Sequence, residues 1–477
     1  MIERAVPEIA VLPIVPKSPA VPDWYAGSAG HQWRLVAVLL IVTSLGTIDR
    51  QIITLLINPI RASLGISDFQ MSLVVGGAFA LSTALFSLPA GYLADRISRR
   101  GLIAWAALVW SLCTMACASA GTFGRLFVLR TAVGFGESVT FPSSASMLRS
   151  GLAPQRLGRG YAIQSMGLIG GAALALIFGG LVIGIVEKAG INHLPLFGAV
   201  QPWQITLLLA GALGLPLPLL LLTVKEPTRE RAPATSVLGG FSQAFRLFRS
   251  RADVYVPLLI FQLSTGLVSL SWGAWNAAMI GRTFNLSYAQ IGAWVGLMLL
   301  VVPPFGLWTV GHLMDRAAAR RGVRGPVLIG LGATALILVT ATAAPLAPTL
   351  PLFWVDYACL CLVIVTVYPL NSVVTASITP PQNLGGMVGL QLFITGIMAA
   401  GLGPTLTAVV SDWLFTGSRA IGYGLSLVSG FYTLIAFGAL VRVYVVLGRS
   451  EREGVECEES QVRALRPPGQ QRNLPIR

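Results

Sequence analysis

Residues 91–100 read GYLADRISRR and residues 311–321 read GHLMDRAAARR. Gly91, Leu93, Asp95 and Arg96 of the first stretch recur as Gly311, Leu313, Asp315 and Arg316 of the second, in the same order and spacing. A single G-x-L-x-D-R would mean little. Two copies set at the same place in two long apolar patterns mark an internal repeat. Outward from each copy run apolar segments of about 20 residues, the length that crosses a hydrocarbon core of roughly 30 Å as a helix. Punctuated by charged or Pro/Gly turns, they place twelve spans near 34–57, 71–90, 101–120, 125–149, 160–186, 201–223, 254–280, 288–310, 326–345, 350–376, 385–410 and 421–447. Both copies of the repeat are then turns between the second and third span of a half.

Composition agrees: 55% of the 477 residues are hydrophobic and 11% are charged, which describes a chain with the bilayer as solvent. The fold expected is an all-α membrane protein of twelve transmembrane helices in two six-helix bundles, residues 34–223 and 253–447. A cytoplasmic linker, 224–252, joins them. Residues 1–33 and 448–477 lack apolar periodicity and read as disordered cytoplasmic tails; the first of these has no signal-peptide pattern. In the linker, Phe241, Phe245 and Phe248 share one helical face while Arg246 and Arg249 lie elsewhere, so the segment suits either the membrane interface or an ordinary protein surface.

A net charge of +14 raises nucleic acid as a partner, but its placement removes it. The loops after spans 2, 4, 6 and 8 hold Arg96, Arg99, Arg100, Arg149, Arg156, Arg159, Lys225, Arg229, Arg231, Arg246, Arg249, Arg251, Arg316, Arg320, Arg321 and Arg324. The opposite side offers Arg61, Arg125, Lys188, Arg282 and Arg419. That bias puts the basic loops and both termini in the cytoplasm, as for a multi-pass protein of a bacterial inner membrane. The sequence holds neither a Walker-type phosphate loop nor a His/Cys metal cluster, and no catalytic constellation. An enzyme, a cofactor and direct ATP drive are therefore not expected, and the chain reads as a monomer among membrane lipids.

Ionisable side chains inside a span cost a few kcal/mol or more and usually mark function. The first span holds Asp49 and Arg50, and the fourth holds Arg130 and Glu137. Arg130 and Glu137 share a face two turns apart, with Glu137 roughly 10 Å deeper, near the midplane. Depth favours the pair Asp49–Arg130, charge favours Arg50–Glu137, and the sequence leaves both open. A midplane carboxylate beside an arginine suits proton coupling, with Glu137 the first candidate carrier and Asp49 the second; a fixed ion pair between spans is the plain alternative. The second half has no matching charges. It offers Gln262, Trp272, Trp275, Asn276, Tyr368 and Asn371, a polar and aromatic wall suited to an amphipathic substrate. Gly91, Asp95, Arg96 and Arg100, with Gly311, Asp315 and Arg316, read as a cytoplasmic gate. Glycines in the fifth and eleventh spans read as sites of close helix contact.

The repeated G-x-L-x-D-R, the two six-span halves and the glycine-rich fifth span resemble the major facilitator superfamily. Within it, IDRQII at Ile48–Ile53, GYLADRISRR, and RTAVGFGES at Arg130–Ser138 followed by Pro142 resemble the spinster-like branch. The resemblance implies alternating access by rocking of two bundles around a site lined by spans 1, 4, 7 and 10. It also implies proton sensing and substrate handling at Asp49, Arg50 and Glu137, and a small-molecule or lipid-like substrate, lysolipid-like for animal members. Ala317–Ala319 depart from the pattern of the turn. The resulting expectation is a proton-coupled secondary transporter of an amphipathic or anionic organic solute. An organic-anion symporter or drug exporter is the alternative within transport, and a non-transporting membrane sensor the alternative outside it.

Overall fold

In hydrocarbon, backbone N–H and C=O groups find no water, so each spanning segment satisfies them internally as a helix. The computed structural model describes residues 29–86, 97–195, 198–227 and 237–464. Eleven helices there are long and apolar enough to cross a bilayer: Ala29–Leu55, Asp68–Phe86, Arg99–Cys117, Arg156–Lys188, Pro202–Leu222, Ala252–Phe284, Tyr288–Arg321, Arg324–Leu346, Leu350–Ile378, Asn383–Leu414 and Ala420–Arg449. The fourth span, Phe123–Gly151, is as long at 29 residues but less apolar, because it carries Arg125, Arg130, Glu137 and Arg149. These twelve helices form the all-α membrane fold of two six-span halves. The described exception is a two-stranded pairing of His193–Leu194 with Gly198–Ala199 between the fifth and sixth spans.

The repeat extends further than the basic motif. Spans 2 and 8 both open with a Ser-x-x-Gln capping box, Ser67 with Gln70 and Ser287 with Gln290, in which side chain and backbone bond each other reciprocally. Each box follows a residue in the left-handed region, Gly65 at φ 62° and Asn285 at φ 53°. All three pairs keep the spacing of the two G-x-L-x-D-R copies.

Two sequence expectations are corrected. GHLMDRAAARR is not a turn: it forms the last turns of the eighth span, which continues to Arg321 rather than stopping at 310. Leu, Met, Ala and Arg are strong helix formers, and the chain breaks only at Gly322, φ 56°. The last helix likewise runs from Ala420 to Ala464, past the boundary set at 447, since its charged Glu/Arg/Gln stretch is helix-forming without being apolar. Of the first copy, residues 91–96 lie outside the described residues; Ser98 caps the helix that begins at Arg99.

The halves meet through backbone. A Cβ on Gly180 in span 5 would stand 2.7 Å from the Tyr288 carbonyl oxygen and 3.0 Å from Gly292 Cα in span 8, and one on Gly292 would strike the Leu176 carbonyl. In span 2, Leu73–Gly77 forms a π turn, and Gly76 there admits the Ala400 carbonyl of span 11. Ser72 donates to Thr405 at 3.2 Å, and Asn58 donates to the Ala278 carbonyl at 3.2 Å. These contacts all lie towards the ends remote from the basic loops.

The linker helix, Val237–Ser250, packs on spans 11 and 7. Ala244 is buried and Phe248 stacks on Tyr255 at 6.0 Å, whereas Phe245 is 57% exposed. The phenylalanine stripe is thus divided between protein and surroundings; the side chain of Phe241 lies outside the described residues.

Candidate functional site

The first and fourth spans bring the four charges together. Arg130, 5% exposed, does not bond the Asp49 carboxylate. Its guanidinium donates from Nη1 to the Asp49 carbonyl at 3.0 Å and from Nη2 to the Arg50 carbonyl at 3.1 Å. A planar fork meets two successive carbonyls where the helix ladder of span 1 leaves acceptors within reach. Of the two pairings the sequence left open, Asp49–Arg130 is therefore not made between side chains, and both buried carboxyl oxygens of Asp49 accept no hydrogen bond.

The other pair forms, loosely. Arg50 Nη1 lies 3.9 Å from Glu137 Oε2, an electrostatic contact too long for a hydrogen bond. The Arg50 guanidinium sits 4.8 Å above the Phe79 ring, and a third of its side chain is exposed, against 13% for Glu137. Glu137 Oε1 is buried without a partner. Arg50 is thus the cation of the group that can turn to a further anion without breaking a tight bond.

The sequence reading missed a clasp at the far end. Arg282 of span 7 donates to both Asp68 carboxylate oxygens, at 2.6 and 2.7 Å, and through Nε to Asn58 Oδ1 at 2.8 Å. Arg61 adds a 3.3 Å contact to Asp68. Asp68 opens span 2, so this bidentate pair joins the two halves. The signal was available: Asp68 sits beside the capping Ser67, and Arg282 ends the seventh span, but Arg282 entered only the loop-charge tally and Asp68 was not singled out.

At the basic end, Arg99 is buried and binds within the first half. It donates to the Ser146 carbonyl at 3.1 Å, to Ser150 Oγ at 2.7 Å and to Glu226 Oε1 at 3.4 Å, while Arg100 donates to the Val224 carbonyl at 3.1 Å. Burial alone would push the Glu226 carboxyl up. Hydrogen bonds from Ser98, from the Arg99 backbone and from its guanidinium, with that charge, outweigh burial and hold it below its ordinary 4.5. Its stabilising contribution is complete above about 4.5 and is lost as pH falls through the lower folded value. Acid melting curves therefore separate wild type from Glu226→Gln: the wild-type advantage at pH 7 shrinks below about pH 4.5. A gap that stays constant down to pH 3 would refute this.

Of the proposed gate, Gly91, Asp95 and Arg96 lie outside the described residues. Asp315 and Arg316 are exposed without an ion-pair partner among the described residues, and Gly311 faces open space.

In the second half, three proposed cavity residues are packed instead. Trp272 donates to Ser429 at 3.1 Å and stacks on Tyr357, Trp275 donates to the Pro404 carbonyl at 2.9 Å, and Asn276 donates to Tyr357 at 3.0 Å. Indole N–H groups buried in a span need partners, and these found them inside the bundle. Gln262 and Asn371 are buried yet keep unpartnered oxygens. The side chain of Tyr368 lies outside the described residues.

Two six-span halves related by an internal repeat, closed against each other at one end around buried charges, define a membrane transporter of the two-bundle class. The profile of the Major Facilitator Superfamily matches residues 39–400, and the chain belongs to that family. It is an integral multi-pass membrane protein and a transporter, not an enzyme. An efflux pump of this type from Mycolicibacterium smegmatis is 24% identical over 412 residues, 84% of this chain and 90% of that protein. A probable galactarate/D-glucarate transporter of Bacillus subtilis is 30% identical over 125 residues, 25% of this chain and 27% of its own length. In fold the chain is similar to a bacterial homolog of the human lysosomal transporter Spinster in an inward-facing, unoccupied conformation. The TM-score is 0.73 at 22% identity, covering 88% of this chain and 97% of that one.

Proposed function

We propose that this chain is a proton-coupled secondary transporter that moves an amphipathic or anionic organic solute by alternating access. The observation that carries the reading is Arg50: a third exposed, it holds Glu137 at only 3.9 Å. An organic anion can displace Glu137 from Arg50, and a proton can then neutralise the released carboxylate. Asp49, with two unpartnered oxygens, is the second proton site. Relatives named as an efflux pump and as a sugar-diacid transporter support a small organic solute, and the similarity in fold to a spinster homolog supports the spinster-like branch. The Asp68–Arg282 clasp holds the halves together at the end remote from the basic loops; with those loops in the cytoplasm, this corresponds to an inward-facing state. Gly91, Asp95, Arg96, Arg100, Gly311, Asp315 and Arg316 then form a latch that closes in the opposite state.

Reconstitution in liposomes tests the reading. Organic-anion flux is expected to follow an imposed pH gradient, Glu137→Gln to uncouple it from that gradient, and Arg50→Ala to reduce it at least tenfold. Flux indifferent to the gradient, and unchanged by Glu137→Gln and Asp49→Asn, would exclude proton coupling.

A further inference from the structure

Spans 7 and 10 are antiparallel neighbours pinned at two levels. Tyr255 Oη and Thr379 Oγ1 are 2.8 Å apart at one level, and Asn276 donates to Tyr357 at the other. Counting helical turns inward from either pin brings Gln262 of span 7 level with Asn371 of span 10. Against them span 11 sets Gln391, 1% exposed. Its Oε1 accepts from Asn371 Nδ2 and from Thr375 Oγ1, each at 3.2 Å. Turning both amides over would keep these contacts and again leave one donor and one acceptor; as they stand, Gln391 Nε2 is left as a donor and Asn371 Oδ1 as an acceptor. Both are buried without a partner, and so is Gln262 Oε1; all three residues are more than nine-tenths buried. The cluster carries no charge. A buried amide atom left unpaired costs free energy, and one donor and two acceptors at the same level of spans 7, 10 and 11 are complementary to a group that both donates and accepts.

We infer that Gln262, Asn371 and Gln391 form a neutral subsite that takes a hydroxyl or amide group on the transported organic anion. The inference rests on the transport reading above and narrows the substrate class. The anionic end pairs with Arg50 on the first half. The neutral polar end docks on the second, about 9 Å from the middle of span 7 towards the basic loops, by the rise of a helix. A purely apolar tail would leave the three amide atoms unsatisfied and is disfavoured there. Gln391 is the specificity-determining residue that sequence alone did not single out.

Matched carboxylates test it on the purified full chain and in proteoliposomes: hexanoate against 6-hydroxyhexanoate, and decanoate against 10-hydroxydecanoate. The wild type is expected to bind and move a hydroxylated member about tenfold better than its plain partner, the worth of one good hydrogen bond. Gln262→Leu breaks no described bond and should bring that pair to parity by weakening the hydroxylated member. Gln391→Leu should do the same, with melting temperature as the control for folding. If the wild type treats both pairs alike, or if Gln262→Leu weakens both members equally, the subsite is wrong while the anion reading stands. If no carboxylate of either kind binds, or binding survives Arg50→Ala, the anion reading fails and the subsite with it.

Discussion

Arg282→Ala is expected to unlock the far end of the molecule. The substitution leaves Asp68, with 5% of its side chain exposed, without its bidentate partner, while Arg61 remains at 3.3 Å but is 44% exposed. Breaking a buried pair from one side costs about 3–5 kcal/mol, and the surviving Arg61 contact puts this case near 3. Most of that cost falls on the state in which the ends of spans 1, 2 and 7 are held together. An introduced Ala278→Cys, buried where Asn58 meets span 7, should therefore react with an impermeant maleimide at least tenfold faster in the Arg282→Ala background. Adding Asp68→Asn removes the uncompensated charge. It should recover much of the lost thermal stability without slowing the labelling. Unchanged reactivity in the single variant would mean that Asp68–Arg282 does not hold the halves closed.

Arg130 carries the second large effect. Its side chain is buried and its two described bonds go to consecutive main-chain carbonyls of span 1, at 3.0 and 3.1 Å. Lysine retains the charge but presents a single ammonium rather than a planar fork, so Arg130→Lys keeps one carbonyl at best. Each charge-assisted bond is worth about 1.5–3 kcal/mol. Transport by Arg130→Lys is expected to fall at least tenfold, and Arg130→Ala should also lower the melting temperature, since it leaves Asp49 without the neighbouring cation. Full activity in Arg130→Lys would show that charge alone matters there and that the carbonyl fork is incidental.

Apolar run length and the duplicated motif were enough to place twelve spans and two halves, because a helix crossing lipid has few alternatives. The same signal failed where helices are not apolar. The stretch after Gly448 looked like a tail because its helix is built from Glu, Arg and Gln, and GHLMDRAAARR was read as a turn by its likeness to the first copy rather than by its own residues. That Asp49, Arg50, Arg130 and Glu137 lie near one another was legible from helical rise, but their partners were not: a sequence shows side-chain charges, whereas Arg130 chose backbone carbonyls. Trp272 and Trp275 were read as cavity walls because composition cannot tell an indole that faces a ligand from one that bonds Ser429 or Pro404. Asp68 and Arg282 escaped because the cost of charge flags residues in mid-span, and these two lie at span ends. The matched Ser-x-x-Gln boxes at Ser67 and Ser287 were visible all along and would have extended the repeat.

Gly180 and Gly292 meet with main chain against main chain, and neither contributes a side chain to the join. Interlocked side chains act like gear teeth: they must disengage and re-mesh whenever one element turns on another. Two smooth surfaces can roll with no such step. In a rocking protein this junction would serve as the fulcrum rather than as either door, keeping its contact while the two mouths exchange. Bulk added at Gly180 would then slow the exchange itself and leave the affinity of each open form nearly as it was.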